Sequence, residues 1–117
     1  MDVNKFKIFP ESITELNNLK YLGLGVNKNF DIPESIKNLR NLRILVLNHN
    51  SNSRLPETFG NLKSLDFLHL ENNKIDFIPE SLGKLNSLKE LEVQSNKLLS
   101  LPESLFKLKS LKKLSKY

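Results

Sequence analysis

The stretch Leu65-Asp66-Phe67-Leu68-His69-Leu70-Glu71-Asn72-Asn73 decides the fold, and it follows the frame L-x-x-L-x-L-x-x-N. The same nine-residue frame runs from Leu19 to Asn27, from Leu42 to Asn50 and from Leu88 to Asn96, with Val93 as its third apolar residue. Successive frames are 23 residues apart, and the prolines keep the same step: Pro10, Pro33, Pro56, Pro79 and Pro102. This fixed period predicts a solenoid, whose units bury one continuous core by stacking.

Each repeat combines a short strand with a helical return limb. Leu22 and Leu24 alternate as in a strand with one buried face. In the limb, apolar residues such as Phe59 and Leu62 are three apart and share one face of a helical turn. Each limb crosses back over the core, so the strands are expected to be parallel. We predict an α/β solenoid with a curved parallel sheet on the concave side and short helical or 3-10 turns on the convex side.

The repeat boundaries predict a single domain over residues 1–117. It has a partial repeat at 1–18, four 23-residue repeats over 19–110 and a terminal strand at 111–117. The last residue of each frame is expected to form a ladder in which side-chain amides satisfy buried backbone groups of the turn, through Asn4, Asn27, Asn50, Asn73 and Asn96. Asn29 and Asn52 stand where Ile75 and Leu98 are apolar, which predicts looser loops in the first two repeats.

The half-repeats at 55–62 and 78–85, LPETFGNL and IPESLGKL, resemble the L-P-x-x-I-x-x-L pattern of leucine-rich repeat proteins. The chain is similar to their 23-residue Ras-group type and to short bacterial members. The resemblance implies a binding scaffold that presents its concave face to another protein.

The third position of the frame predicts an apolar row on the solvent side of the sheet. Tyr21, Ile44 and Phe67 occupy it in successive repeats, with Val46 beside them at the fifth position. Equivalent residues of neighbouring strands lie about 4.8 Å apart and touch. The row is either a contact site for a partner or a cross-strand ladder that stabilises the sheet, and both roles are compatible. His69, Glu71 and Glu92 would add polarity beside it.

Chemistry beyond binding has little support in the sequence. His69 is expected to neighbour Glu92, with Glu71 two residues along its own strand, and such a set could bind zinc or act as acid and base. The spacing matches no known metal motif, and no nucleophile is paired with a base. We therefore predict no catalytic residue, no metal and no cofactor.

Positive charge is concentrated at the C-terminal end, where residues 97–117 contain six lysines and one acid. Such a patch could contact nucleic acid or an anionic membrane. We favour lysines that protect an exposed sheet edge, and predict neither partner. The chain lacks cysteine, and its first residues contain no apolar signal segment. Both features favour the cytoplasm, while secretion stays open if a leader was removed.

The predicted function is non-catalytic binding of an unidentified protein or peptide on the concave face. The alternative is a structural fragment, or a unit that self-associates through its open ends, so the expected state is a monomer or a weak assembly. Phe106 bears on this choice, because its counterparts in other repeats are Thr14, Lys37, Gly60 and Gly83. We expect its ring to fold over the C-terminal end of the core or, failing that, to meet another molecule.

Overall fold

The computed structural model describes residues 9–26 and 31–116, in which five 3-10 helices alternate with five strands. The helices are η1 (Glu11–Glu15), η2 (Glu34–Asn38), η3 (Glu57–Asn61), η4 (Glu80–Lys84) and η5 (Glu103–Lys107). The strands are β1 (Tyr21–Gly23), β2 (Ile44–Val46), β3 (Phe67–His69), β4 (Glu90–Glu92) and β5 (Lys113–Ser115).

The strands form one parallel sheet in the order β1-β2-β3-β4-β5. Every residue pairs with its counterpart one repeat later, so Leu22, Leu45 and Leu68 are aligned across the first three strands. This register follows from the constant repeat length, since each return limb brings the chain back by the same path. The predicted fold class, with its parallel sheet and short 3-10 turns, is confirmed.

Each 3-10 helix begins one residue after its proline. Pro56, for example, is extended (φ −67°, ψ 148°), and its carbonyl accepts the Phe59 N–H at 3.1 Å. Glu57 is the first helical residue, where its negative charge suits the helix N-terminus. Proline fits just before the helix because its fixed φ also suits extended backbone and no N–H is required there.

The core lies between the sheet and the 3-10 helices. The inward strand residues Leu45, Leu68 and Leu91 and the helical Phe59 are fully buried. Each side chain of this size stabilises the fold by about 1.5–3 kcal/mol when it leaves water. At the N-terminal end Phe9 is 3% exposed, as expected for a residue that covers the core. The C-terminal end is more open, and Leu98, Leu101, Leu108, Leu111 and Leu114 are only partly buried against the core.

The asparagine ladder is present in the described turns at Asn50, Asn73 and Asn96. The Asn73 Nδ2 donates to the carbonyl of Leu70 in its own repeat at 2.9 Å and to that of Leu47 in the preceding repeat at 3.0 Å. Its Oδ1 accepts the Asn52 N–H at 3.1 Å. One side chain thus satisfies backbone groups from two repeats and fixes their spacing. The predicted members Asn4 and Asn27 lie outside the described residues.

Asn52 differs from the expectation of a looser second loop. Its N–H binds Asn73 Oδ1 and its carbonyl accepts the Lys74 N–H at 2.8 Å. Ile75 makes the equivalent bonds one repeat later, so the loop backbone around Asn52 keeps the standard geometry. The Asn52 side chain is nevertheless 2% exposed, and its amide has no hydrogen-bond partner within the described residues. Asn29 lies outside them.

The residue before each ladder position has a left-handed backbone. The φ angles are 57° at Val26, 54° at His49, 59° at Asn72 and 58° at Ser95. This conformation turns the chain from the strand into the loop. It is tolerated by asparagine and unfavourable for a β-branched residue such as Val26.

Candidate functional site

The predicted apolar row is formed on the solvent side of the sheet. Tyr21 pairs with Ile44, and Ile44 pairs with Phe67. Their neighbours in the strands point the other way, into the core, because successive residues of a strand face opposite sides of the sheet. Tyr21 is 49% exposed, while Ile44 and Phe67 are half-buried. We call Tyr21, Ile44 and Phe67 the apolar row.

A second column runs beside the apolar row at the fifth position of the frame. It consists of Gly23, Val46, His69, Glu92 and Ser115. Val46 is half-buried and extends the apolar surface next to Ile44. Because Gly23 carries no side chain, the surface beside Tyr21 is left open. The face therefore changes from apolar in β1 and β2 to charged in β3 and β4.

Three charged groups organise the charged half of the face. His69 Nε2 lies 3.0 Å from Glu90 Oε1, whereas the sequence predicted Glu92 as its neighbour. Glu92 is instead bound by Lys113, whose Nζ lies 2.7 Å from Glu92 Oε1 and 3.7 Å from Glu90 Oε1. His69 and Glu92 are still register partners, so the expected proximity is present although the expected contact is not.

The Lys113 hydrogen bond lowers the pKa of Glu92 below its ordinary value. Burial opposes this change, and the nearby charge of His69 supports it. The Glu92 hydrogen bond in turn raises the pKa of Lys113, with a further contribution from the Glu90 charge. Glu92 is therefore a stable carboxylate at neutral pH, held beside an ammonium group.

Glu71 is the carboxylate of this surface with the least satisfied environment. Its Oε2 is buried and has no hydrogen-bond partner within residues 9–26 and 31–116. Gln94, the counterpart of Glu71 one repeat later, has a buried Oε1 in the same condition. A buried carboxylate oxygen without a donor is costly, so Glu71 is predisposed to receive a cation or a hydrogen-bond donor.

The two glutamates and His69 also meet the geometric requirement for a metal site. One potential ligand atom from each of His69, Glu71 and Glu92 lies within 4.8 Å of the other two, and all three residues are half-buried. The sequence placed these residues near one another but predicted no metal.

Two features of the surface were not predicted from the sequence. Arg43 donates two hydrogen bonds to Asp66 Oδ2, at 2.6 and 2.9 Å, at the second position of the frame. A cleft of about 510 Å³ lies beside the loops and is lined by residues including Phe77, Arg54 and Asp76. Phe77 is 60% exposed. The signals available were opposite charges 23 residues apart and an aromatic residue at a variable loop position.

The C-terminal end exposes apolar and basic side chains together. Phe106 is 61% exposed and Leu99 is 99% exposed. Phe106 lines a hollow of about 100 Å³ with Leu98, Leu101 and Lys116, so its ring sits beside the end of the core without becoming buried. The lysines at 97, 107, 109, 112, 113 and 116 are all exposed. In the part of the chain that is described, no helix has the length and apolar character needed to cross a membrane.

Comparison with known proteins gives consistent results. The profile of the leucine-rich repeat region matches residues 4–117. No curated protein sequence matches the chain. Among solved structures, the plant peptide hormone receptor RGFR1 in complex with RGF2 is 32% identical, with a TM-score of 0.85 over 93% of this chain and 18% of that one.

Two further structures extend the comparison. A leucine-rich repeat protein of Leptospira interrogans is 34% identical, with a TM-score of 0.77, over 97% of this chain and 35% of that one. The Arabidopsis receptor kinase HAESA, in complex with the peptide hormone IDA and the co-receptor SERK1, is 33% identical with a TM-score of 0.77. That match covers 92% of this chain and 19% of HAESA. The chain therefore spans only about a fifth to a third of the proteins it matches.

Proposed function

Since the chain belongs to the leucine-rich repeat family, we propose that it is a non-catalytic scaffold that binds a protein or peptide on its sheet face. The observation that carries this proposal is the apolar row, which projects away from the core on three adjacent strands. Two of the similar structures were solved with RGF2 or with the peptide hormone IDA and a co-receptor, which supports a peptide or protein as the ligand class.

The row has the composition of a contact site. Two of its three members are aromatic, and aromatic side chains supply large apolar area with little loss of conformational entropy on binding. Val46 widens the apolar area, while His69, Glu71 and Glu92 border it with charge. In this proposal an extended segment of the partner places apolar side chains over Tyr21, Ile44 and Phe67 and polar groups over the charged half.

The proposal is tested with peptides selected from a random display library against the intact protein. Affinity is then measured by calorimetry for the wild type and for Phe67→Asp, which places a charge in the middle of the row. We expect a loss of about 2 kcal/mol or more, roughly 30-fold, as for a central aromatic contact.

Phe77→Asp is the matched control, because Phe77 is an exposed phenylalanine of the same repeat that lines the loop cleft instead of the sheet. This control should bind as the wild type does. Circular dichroism and thermal unfolding establish that both variants are folded. Failure to select any peptide, or equal affinity of wild type and folded Phe67→Asp, would refute the proposal.

Self-association through the C-terminal end is the second candidate, and the exposure of Phe106 and Leu99 favours it. Light scattering over a range of concentrations separates the two ideas. A monomer in the wild type supports an external ligand. An assembly that persists in Phe67→Asp but dissociates in Phe106→Asp would support the ends as the functional surface.

A further inference from the structure

We propose that His69, Glu71 and Glu92 form a binding site for a divalent metal ion of the zinc type. The three residues lie on the last residue of β3, two residues beyond it, and on the last residue of β4. Their potential ligand atoms are within 4.8 Å of one another. One imidazole nitrogen and two carboxylate oxygens form a ligand set that zinc accepts, with a fourth position left for water or a partner.

The distances require a small closure of the side chains. Ligands of one tetrahedral zinc ion lie about 3.3 Å apart, given bonds of about 2.0–2.2 Å. The residues are half-buried on an open face and sit on neighbouring strands whose backbones are fixed by the register. Rotation of the two glutamate side chains therefore suffices, and the sheet does not have to move.

The state of Glu71 points independently to a cation. Its Oε2 is shielded from water and lacks a donor, and the equivalent oxygen-bearing residue of the next repeat, Gln94, has a shielded Oε1 in the same state. These two oxygens lie on adjacent turns that are joined by the hydrogen bond from Asn72 N to the Gln94 carbonyl at 3.1 Å. A metal ion at Glu71 would supply the positive charge that its carboxylate lacks.

Glu90 supplies the outer support that a metal-binding histidine needs. Histidine ligands usually keep their second ring nitrogen on a carboxylate, which fixes the tautomer and the orientation of the ring. Glu90 Oε1 already lies 3.0 Å from His69 Nε2 and is not itself a member of the three-residue set.

Lys113 gives the proposal its most specific consequence. Its ammonium group holds Glu92 Oε1 at 2.7 Å and thus occupies a position that competes with the ion. The side chain of Lys113 is 56% exposed, so it can leave Glu92 for solvent when an ion arrives. Removing the ammonium group should therefore strengthen metal binding, whereas it would weaken a site that depended on Lys113 for its structure.

The experiment is calorimetric titration of the intact protein with Zn²⁺, supported by the visible absorption of added Co²⁺. We expect one ion per chain. His69→Ala and the isosteric Glu71→Gln should each weaken binding at least tenfold, and Lys113→Met should strengthen it several-fold. His49→Ala is the control, since His49 is the other histidine of the chain and contacts Asn72 instead of the cluster.

Three results would overturn the site. They are the absence of binding to the wild type, binding that is unchanged in both His69→Ala and Glu71→Gln, and binding that falls equally in His49→Ala, which would indicate an adventitious ion only. Thermal unfolding of each apo variant confirms its fold. Because no peptide is present, failure here leaves the peptide-binding proposal standing, and failure of that proposal leaves the metal measurement valid.

Discussion

Val26 has a backbone conformation that its side chain opposes. Its φ is 57°, close to the values at His49, Asn72 and Ser95, and a β-branched residue is strained there. The side chain is 47% exposed, so it contributes little to the core. We expect Val26→Asn to raise the free energy of unfolding by about 1 kcal/mol, the low end of the cost of a left-handed residue. Urea denaturation measures the change.

The reverse substitution is the control for Val26. Asn72 has the same backbone conformation in the third repeat, and its side chain makes only a 3.4 Å contact with His49. Asn72→Val should therefore lower the free energy of unfolding by a similar amount. A Val26→Asn variant less stable than the wild type would contradict the assignment of strain.

Glu92 and Lys113 predict a defined dependence of stability on pH. The pKa of Glu92 is lowered in the folded state, chiefly by the Lys113 hydrogen bond. The pair therefore stabilises the fold above the unfolded pKa of the glutamate, and this contribution is lost as pH falls through the folded pKa. In Lys113→Met the pKa of Glu92 should rise toward its ordinary value, as followed by NMR of the labelled carboxyl carbon. An unchanged titration midpoint would contradict the role of Lys113.

At this scale the sequence predicts position better than contact. The frame placed His69 beside Glu92 and put Asn50, Asn73 and Asn96 in one ladder, because these outcomes depend only on the repeat and its register. It did not predict that His69 would contact Glu90 or that the buried Asn52 amide would lack a partner. Both depend on side-chain rotamers and on competition among neighbouring groups, here between His69 and Lys113.

Among the elements, the 3-10 helices carry a constraint that one repeat alone does not reveal. Gly60 lies in η3, and a Cβ built there would lie 2.6 Å from the backbone oxygen of Ser81 in η4. The sequence suggested an outward position, but the residue is buried because the next helix stacks against it. Glycine is therefore required by the close approach of two backbones.

Gly60→Ala should lower the free energy of unfolding by about 1–3 kcal/mol, because the two helices must separate to admit the methyl group. Lys37 occupies the same position in η2, already carries a Cβ and is exposed. Lys37→Ala is thus the matched control and should change stability by less than about 0.5 kcal/mol. Denaturant unfolding of both variants provides the comparison, and equal stability of Gly60→Ala and Lys37→Ala would exclude the packing constraint.

The secondary structure itself was largely predictable from the sequence. Strand positions, their parallel order and the short return turns follow from the period of 23 residues and the alternation within each frame. The start of each 3-10 helix was placed one residue too early, at the proline. The proline ring restricts φ but leaves ψ free to be extended, so the residue type alone does not fix the boundary.

For the whole molecule, the repeat predicts the architecture but leaves the ligand unspecified. Stacking determines which side chains enter the core and which project from the sheet, and the apolar row follows directly from that division. The identity of a partner depends on features that differ between repeats, such as Phe67, His69 and Glu71. A single sequence shows these differences without showing what they select, so the binding role of the row stays a proposal.

The most direct test of the binding surface is amide chemical-shift mapping by NMR, in which the unmodified protein is titrated with a library-selected peptide. Our account predicts that the largest shift changes fall in β1, β2 and β3, around Tyr21, Ile44 and Phe67, with little change in η1 to η5. Shift changes concentrated in the 3-10 helices, or around Phe77 in the loop cleft, would contradict the claim that the sheet face binds the partner.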